Sequence, residues 1–227
     1  MSNTTVFNHH NNVLIKDDIV IKQFLRKEDF QNEKEFYEIF SRYYNVPAIK
    51  KIDEENNTIV YARINGTSLT EKKILDEFST KEIFLIRDKV PKIEGILKEG
   101  VLTQLLPNKY INGSLVHGDM KIDNIIVAQN NEIYLIDFEF GNYIFREFDD
   151  AYMLLSILQV DSLKANEYLK LAAKDGISKA KIIFGELYFI NGVLMNPRIN
   201  VEVKRRWVKI ESYVLKELQE INCDHSQ

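Results

Sequence analysis

Within eight consecutive residues the chain carries His117, Gly118, Asp119, Lys121 and Asn124. Thirteen positions beyond Asn124 it carries Asp137, which closes the apolar run Ile133-Tyr-Leu-Ile136. Asp119 and Asn124 bracket a short loop that leads into a second apolar run, Ile125-Ile-Val127. If the two runs pair as strands, three oxygen-bearing side chains meet at one end of a small sheet. Carboxylate plus amide oxygen is a hard donor set that suits Mg²⁺, which points to Asn124 and Asp137 as metal ligands. Asp119 can then accept the proton of a hydroxyl group. A metal that neutralises phosphate charge and a base that orients the attacking oxygen are the parts phosphoryl transfer needs.

The elements around these residues are legible in outline. Val13-Leu-Ile-Lys16 and Ile19-Val-Ile-Lys22 are β-branched runs separated by Asp17-Asp18, a hairpin signal. Thr4–Phe7 reads as a strand before them. Phe36, Phe40 and Tyr43 recur at helical spacing, with Asp29 or Asn32 as a candidate cap and Pro47 closing the segment. Ala48–Ile52 and Thr58–Ile64 read as two further strands, and Asn65-Gly66 breaks the pattern. From Leu69 to about Leu106 the chain reads as helical. Leu115–His117, Ile125–Val127 and Ile133–Ile136 read as short strands, and Asp149 to the end reads as helix again. Strands with one helix, then mostly helices around a small strand cluster, make an α+β fold with two unequal lobes, divided as residues 1–64 and 65–227.

Composition narrows the function classes. The 227 residues include 45% hydrophobic and 28% charged side chains, ordinary for a soluble globular chain. A net charge of −4 argues against nucleic-acid binding through a basic surface. The single cysteine, Cys223, forms no internal disulfide and suits the reducing cytoplasm. No signal peptide and no apolar run long enough to span a membrane occur.

His117-Gly118-Asp119-x-x-x-x-Asn124 resembles the catalytic loop of the protein-kinase-like superfamily, in the form carried by its aminoglycoside phosphotransferase and choline kinase branch. Asp137-Phe-Glu139 is similar to that superfamily's metal-binding segment, and Asp149 matches a downstream aspartate that braces the catalytic loop. The resemblance implies a two-lobed protein-kinase-like fold, small and β-rich at the N-terminal end and mostly helical beyond. It implies a Mg²⁺-dependent transfer of the γ-phosphoryl group of ATP or GTP to a small-molecule hydroxyl. Lys22 would hold the α- and β-phosphates, with Glu33 rather than Glu35 as its helix partner. Ala62 and Ile64 would meet the adenine edge through their backbones, and Lys121 would steady the transferred group beside the catalytic Asp119. His117 would hold the loop rather than react.

Several features bear on what is transferred, and to what. No glycine precedes Gly66, so Asn8–Asn12 stands where the superfamily has its phosphate-covering glycines. Residues 161–227 carry 9 acidic against 11 basic side chains, which disfavours a polycationic aminoglycoside acceptor and leaves a neutral or anionic hydroxyl compound open. Choline would require an aromatic cage. Two alternatives accompany the leading reading: an atypical protein kinase or regulatory ATPase, similar to the small kinases associated with tRNA modification, and a weakly active pseudokinase acting as a binding module. Asp123 and Asp150 are expected to face solvent, and Ala172–Tyr188 to form an ordinary helical hairpin.

Overall fold

The computed structural model describes residues 4–7, 11–90, 92–96, 112–196 and 199–224. The N-terminal sheet has the strands β1 (Thr4–Phe7), β2 (Asn11–Ile15), β3 (Ile19–Phe24), β4 (Ile49–Asp53) and β5 (Thr58–Ala62). Their order is β1-β2-β3-β5-β4, and every neighbouring pair is antiparallel. The short Asp17–Asp18 turn fixes the β2–β3 register so that Val13 faces Lys22 and Leu14 faces Ile21. Asn11, Val13 and Ile15 of β2 then lie, with Val20 and Lys22 of β3, on the face that lines a cleft.

Between β3 and β4 the chain forms α1 (Lys27–Phe40). Phe30, Glu33, Phe36 and Phe40 are its buried face, spaced three or four apart as a helix requires. Neither expected cap holds. Arg26 is the N-cap position, without a side-chain bond, and Asp29 in the first turn pairs with Arg26 at 2.6 Å. Asn32 lies within the helix and reaches across to carbonyls of the C-terminal lobe.

The expected long helix from Leu69 to Leu106 is corrected by the structure. After β6 (Gly66–Ser68), the stretch contains α2 (Lys72–Glu77), α3 (Thr80–Asp88) and β7 (Glu94–Ile96); residues 97–111 lie outside the described residues. A capping box splits the helices. The Ser79 side chain accepts from the Glu82 N–H while the Glu82 carboxylate accepts from the Ser79 N–H at 2.7 Å, so α3 must start anew there.

Two three-stranded sheets follow. β8 (Asn112–Val116) lies between β7 and β11 (Asn142–Ile144), and β9 (Ile125–Ala128) lies between β6 and β10 (Ile133–Leu135). The remainder is α4 (Glu147–Leu158), α5 (Ser162–Lys174), α6 (Lys179–Met195) and α7 (Val201–Asp224). No helix of the described residues is long and apolar enough to cross a membrane.

The main core joins both parts of the molecule. Phe36 and Phe40 of α1 pack with Leu69, Leu115, Met120, Leu135, Phe138, Met153 and Tyr168, all almost fully buried. At about 1.5–3 kcal/mol for each large apolar side chain buried, these contacts hold α1 against the C-terminal lobe. Asp150, expected at the surface, is fully buried. It pairs with the equally buried Arg87 and accepts from the Tyr168 hydroxyl at 2.9 Å. The α4 stripe that carries Met153 and Leu154 into the core carries Asp150 with it.

Candidate active site

A cavity of about 340 Å³ separates the N-terminal sheet from the loops of the C-terminal lobe. Its apolar end is framed by Ile15, Val20, Ala62 and Ile64, and its polar end by Asn11, Lys22, Glu33 and Asp137. Ala62 and Ile64, the expected backbone contacts for adenine, therefore stand at the apolar end. The Ala62 N–H is already donated to the Ala48 carbonyl at 2.7 Å.

Lys22 is the centre of the polar end. Its Nζ lies 3.1 Å from Glu33 Oε2, 3.1 Å from Glu139 Oε2, and bonds Asp137 Oδ1. Burial would lower the Lys22 pKa, but Asp137, Glu33 and Glu139 together raise it above its ordinary value, so the ammonium stays charged. Glu33 is fixed from three sides. Besides Lys22, its Oε1 accepts from the Tyr61 hydroxyl at 2.7 Å and its Oε2 from the Phe138 N–H at 2.9 Å. Glu35 is exposed, so the choice of Glu33 over Glu35 follows from the helix face.

Asp137 has φ +72°, a left-handed conformation that aspartate tolerates better than most side chains. Such a conformation costs roughly 1–3 kcal/mol and persists where the surroundings fix it. Here Lys22 holds the side chain and Glu33 holds the next peptide N–H. Burial pushes the Asp137 carboxyl up, and Lys22 more than offsets this, leaving it below the usual carboxylate range. Glu139, nearly fully buried, is pushed up to about 7 by burial against the opposing pull of Lys22.

The loop 117–124 lies beside the strand end that carries Asp137, the Asn124 carbonyl accepting from the Ile136 N–H at 3.1 Å. Asp149 accepts from the His117 N–H at 2.8 Å and the Gly118 N–H at 2.9 Å, one bond to each carboxylate oxygen. Gly118 has φ +79°, and a Cβ there would fall 2.0 Å from the Phe140 carbonyl oxygen, so only glycine fits. The His117 Nδ1 accepts from the Asp119 N–H at 3.3 Å, which leaves Nε2–H to donate to the Ile136 carbonyl at 3.1 Å. Burial lowers the His117 pKa to about 4, so the ring is neutral and can make both bonds. It ties the loop before Asp119 to the strand end before Asp137.

Asp119 is 6% exposed. Its Oδ2 lies 3.0 Å from Lys121 Nζ and accepts from Asn124 Nδ2 at 2.9 Å. Burial pushes its carboxyl up to about 6, with Lys121 opposing and Asp137 reinforcing. The Asn124 amide nitrogen is committed to Asp119, bonding its backbone carbonyl at 2.9 Å as well, so Oδ1 is the atom left to hold a cation.

The donor chemistry fits a hard divalent cation. Glu33, Asp137 and Glu139 each offer an oxygen within 4.8 Å of the others. The one ammonium they share leaves the cluster formally short of positive charge, and Glu139 Oε1 is buried without a partner. Oxygen donors with excess negative charge are what Mg²⁺ takes.

Asn32 and Tyr61 also belong to this site without any sign of it in the sequence, while Glu139 and Asn11, already within the Asp137-Phe-Glu139 segment and the Asn8–Asn12 stretch, gain specific side-chain contacts in it. Glu139 had a signal: in an extended segment, positions i and i+2 face the same way, so the Asp137-x-Glu139 spacing puts two carboxylates together. Asn32 donates to the Glu139 and Gly141 carbonyls at 2.6 and 3.0 Å, a contact between α1 and a loop 107 positions away that no local pattern announces. Residues 8–10 of the glycine-free stretch lie outside the described residues, while Asn11 and Asn12 open β2.

Comparison with known proteins agrees with this architecture. A family model described as "Phosphotransferase enzyme family" matches residues 85–176. No curated protein matches the chain. Among solved structures, a thermostable mutant of aminoglycoside phosphotransferase APH(4)-Ia, in ternary complex with AMP-PNP and hygromycin B, is similar with TM-score 0.68 and 10% identity, over 94% of this chain and 93% of that one. A choline/ethanolamine kinase family protein from Mesorhizobium loti gives TM-score 0.60 and 12% identity, over 95% and 88%. The amicoumacin kinase hAmiN, in complex with AMP-PNP, Ca²⁺ and Ami, gives 0.58 and 12%, over 95% and 88%. The chain thus has the two-lobed protein-kinase-like fold, and the resemblance carried by His117–Asn124 and Asp137–Glu139 is joined by a match to the phosphotransferase enzyme family over residues 85–176.

Proposed function

We propose that the chain transfers the γ-phosphoryl group of ATP or GTP, with Mg²⁺, to a hydroxyl group of a small molecule. The observation that carries this reading is that Lys22 reaches both Glu33 and, 115 positions away, Asp137, while the loop carrying Asp119 and Asn124 is bonded to the strand end before Asp137 through the Ile136 carbonyl and N–H. Lys22, oriented by Glu33, binds the α- and β-phosphates, and the backbones of Ala62 and Ile64 take the base. Asn124 Oδ1 and Asp137 are the metal ligands; bound there, the cation would neutralise charge on the phosphate oxygens. Asp119 orients the acceptor hydroxyl and takes its proton, and Lys121, 3.0 Å from Asp119, steadies the transferred group. The working lobes are residues 1–64 and 65–227, a division supported by β6 joining β9 rather than the N-terminal sheet.

Calorimetric titration with ATP and GTP, with and without Mg²⁺, tests the nucleotide half of this reading. Transfer of a labelled γ-phosphate to a panel of hydroxyl metabolites, beside a protein lysate, tests the acceptor half. Metal-dependent binding with label on a small molecule is expected. Label on protein would favour the protein-kinase alternative, and absence of binding would end the reading.

A further inference from the structure

One buried contact at the polar end of the cleft has no part in the roles given above. Asn11 is the first residue of β2 and lies beside Lys22 on the cleft face, paired in register with Phe24. Its Nδ2 donates to Glu139 Oε2 at 2.7 Å, a bond that spans 128 positions and joins the N-terminal sheet to the segment after Asp137. The two residues are 1% and 3% exposed. The pair is poorly built for stability alone, because Asn11 Oδ1 and Glu139 Oε1 are both buried without partners. Buried polar atoms left unpaired oppose folding, and apolar residues would fill such a place at less expense.

The contact does bear on Lys22. Glu139 Oε2 is shared between Asn11 Nδ2 and Lys22 Nζ, the second at 3.1 Å. An amide N–H on that oxygen takes up part of its charge, so less of the Lys22 field is spent on Glu139 and more is open to an anionic ligand. It also anchors the Glu139 side chain and the start of β2 before any ligand arrives, which removes an ordering cost from binding. We propose that Asn11 is a positioning residue for the phosphate end of the nucleotide site, acting through Glu139 on Lys22. This inference rests on the nucleotide-dependent kinase reading.

Asp119, Lys121 and Asn124 lie in the other lobe and none bonds Asn11, so the effect belongs to nucleotide binding rather than to the chemical step. Loss of a buried hydrogen bond to a charged group predicts that Asn11→Ala raises the Kd and KM for the nucleotide about tenfold or more, with kcat moving by less than about threefold. Asn11→Asp faces the Glu139 carboxylate with another and weakens binding further. The double variant Asn11→Asp with Glu139→Gln restores the bond with donor and acceptor exchanged and the total charge unchanged, and it is expected to recover most of the affinity lost by Asn11→Asp. Calorimetric ADP binding supplies a readout separate from turnover, and circular dichroism establishes that each variant is folded. If the wild type binds nucleotide and Asn11→Ala binds it equally well, the positioning role is overturned while the kinase reading stands. A folded double variant no better than Asn11→Asp overturns it too, and this arm decides if Asn11→Ala fails to fold. A wild type that binds no nucleotide removes both.

Discussion

Asp119→Asn should stabilise the protein while disabling it, and the gain should depend on pH. Asp119 is 6% exposed and its carboxyl is displaced from 3.8 to about 6, chiefly by burial. The folded chain therefore favours the protonated form. Stability drawn from that preference is complete below the unfolded value of 3.8 and is lost as pH rises through about 6. At 1.36 kcal/mol per pKa unit, the ionised carboxylate makes the wild type about 3 kcal/mol less stable at neutral pH than it would be with a neutral group there. An amide carries no charge at any of these pH values. The stability of Asp119→Asn minus that of the wild type should accordingly grow by about 2.4 kcal/mol between pH 4 and pH 7, or roughly 5–10 °C in melting temperature for a chain of this size.

The amide has one acceptor oxygen where Asp119 has two, and Lys121 and Asn124 both lean on Oδ2. That loss shifts the variant by an amount independent of pH, so the slope of the difference is the quantity to read. Urea denaturation of both proteins at half-unit steps from pH 4 to 8 supplies it. Over the same series phosphoryl transfer should fall about 10²–10⁴-fold in the variant. A stability difference that is flat across this range, or that shrinks as pH rises, would refute the claim that a buried, strained ionisation sits at Asp119.

In the wild type, kcat should rise with pH through about 6 and then level, because Asp119 acts as a base only when ionised; a rate that instead falls across this range contradicts the assignment. Lys22→Met leaves Glu33, Asp137 and Glu139 together without their ammonium. It should lose nucleotide binding and about 3–5 kcal/mol of stability by chemical denaturation, as expected for a buried charge cluster stripped of its partner. Gly118→Ala forces a Cβ to within 2.0 Å of the Phe140 oxygen at φ +79°. It should destabilise by at least about 1–3 kcal/mol in thermal melts, and an unchanged melting temperature would mean the loop does not cross residue 140 as described.

Much of the framework was visible in residue order because its causes are local. The β-branched runs either side of Asp17-Asp18 alternate at the strand period, and β2 and β3 form there. Phe36 and Phe40 recur at the helix period, and α1 buries them along with Glu33, which is why Glu33 rather than Glu35 meets Lys22. Asp119, Asn124 and Asp137 stood out by their combination: an Asp and an Asn five positions apart before one apolar run, and an Asp closing the next. β6 and β11 were invisible, since three residues are too few to show a period and both exist only by pairing with strands far away. The break between α2 and α3 had a local sign, the capping-box spacing Ser79-x-x-Glu82, whereas the burial of Asp150 against Arg87, 63 positions away, had none.

Residue order alone determined which chemistry was available: one lysine at a strand end, one glutamate on a helix face, and two acidic loops each following a hydrophobic strand. Tertiary structure alone decided that Lys22 would share three carboxylates, that His117 would join the two loops through its two ring nitrogens, and that Asn11 would reach Glu139. The reason is the range of the forces. Hydrophobic period and turn chemistry act over a few residues and are written in adjacent positions. A charge cluster closes only when a shared core brings together segments 105 to 128 positions apart, and its balance depends on every group that arrives.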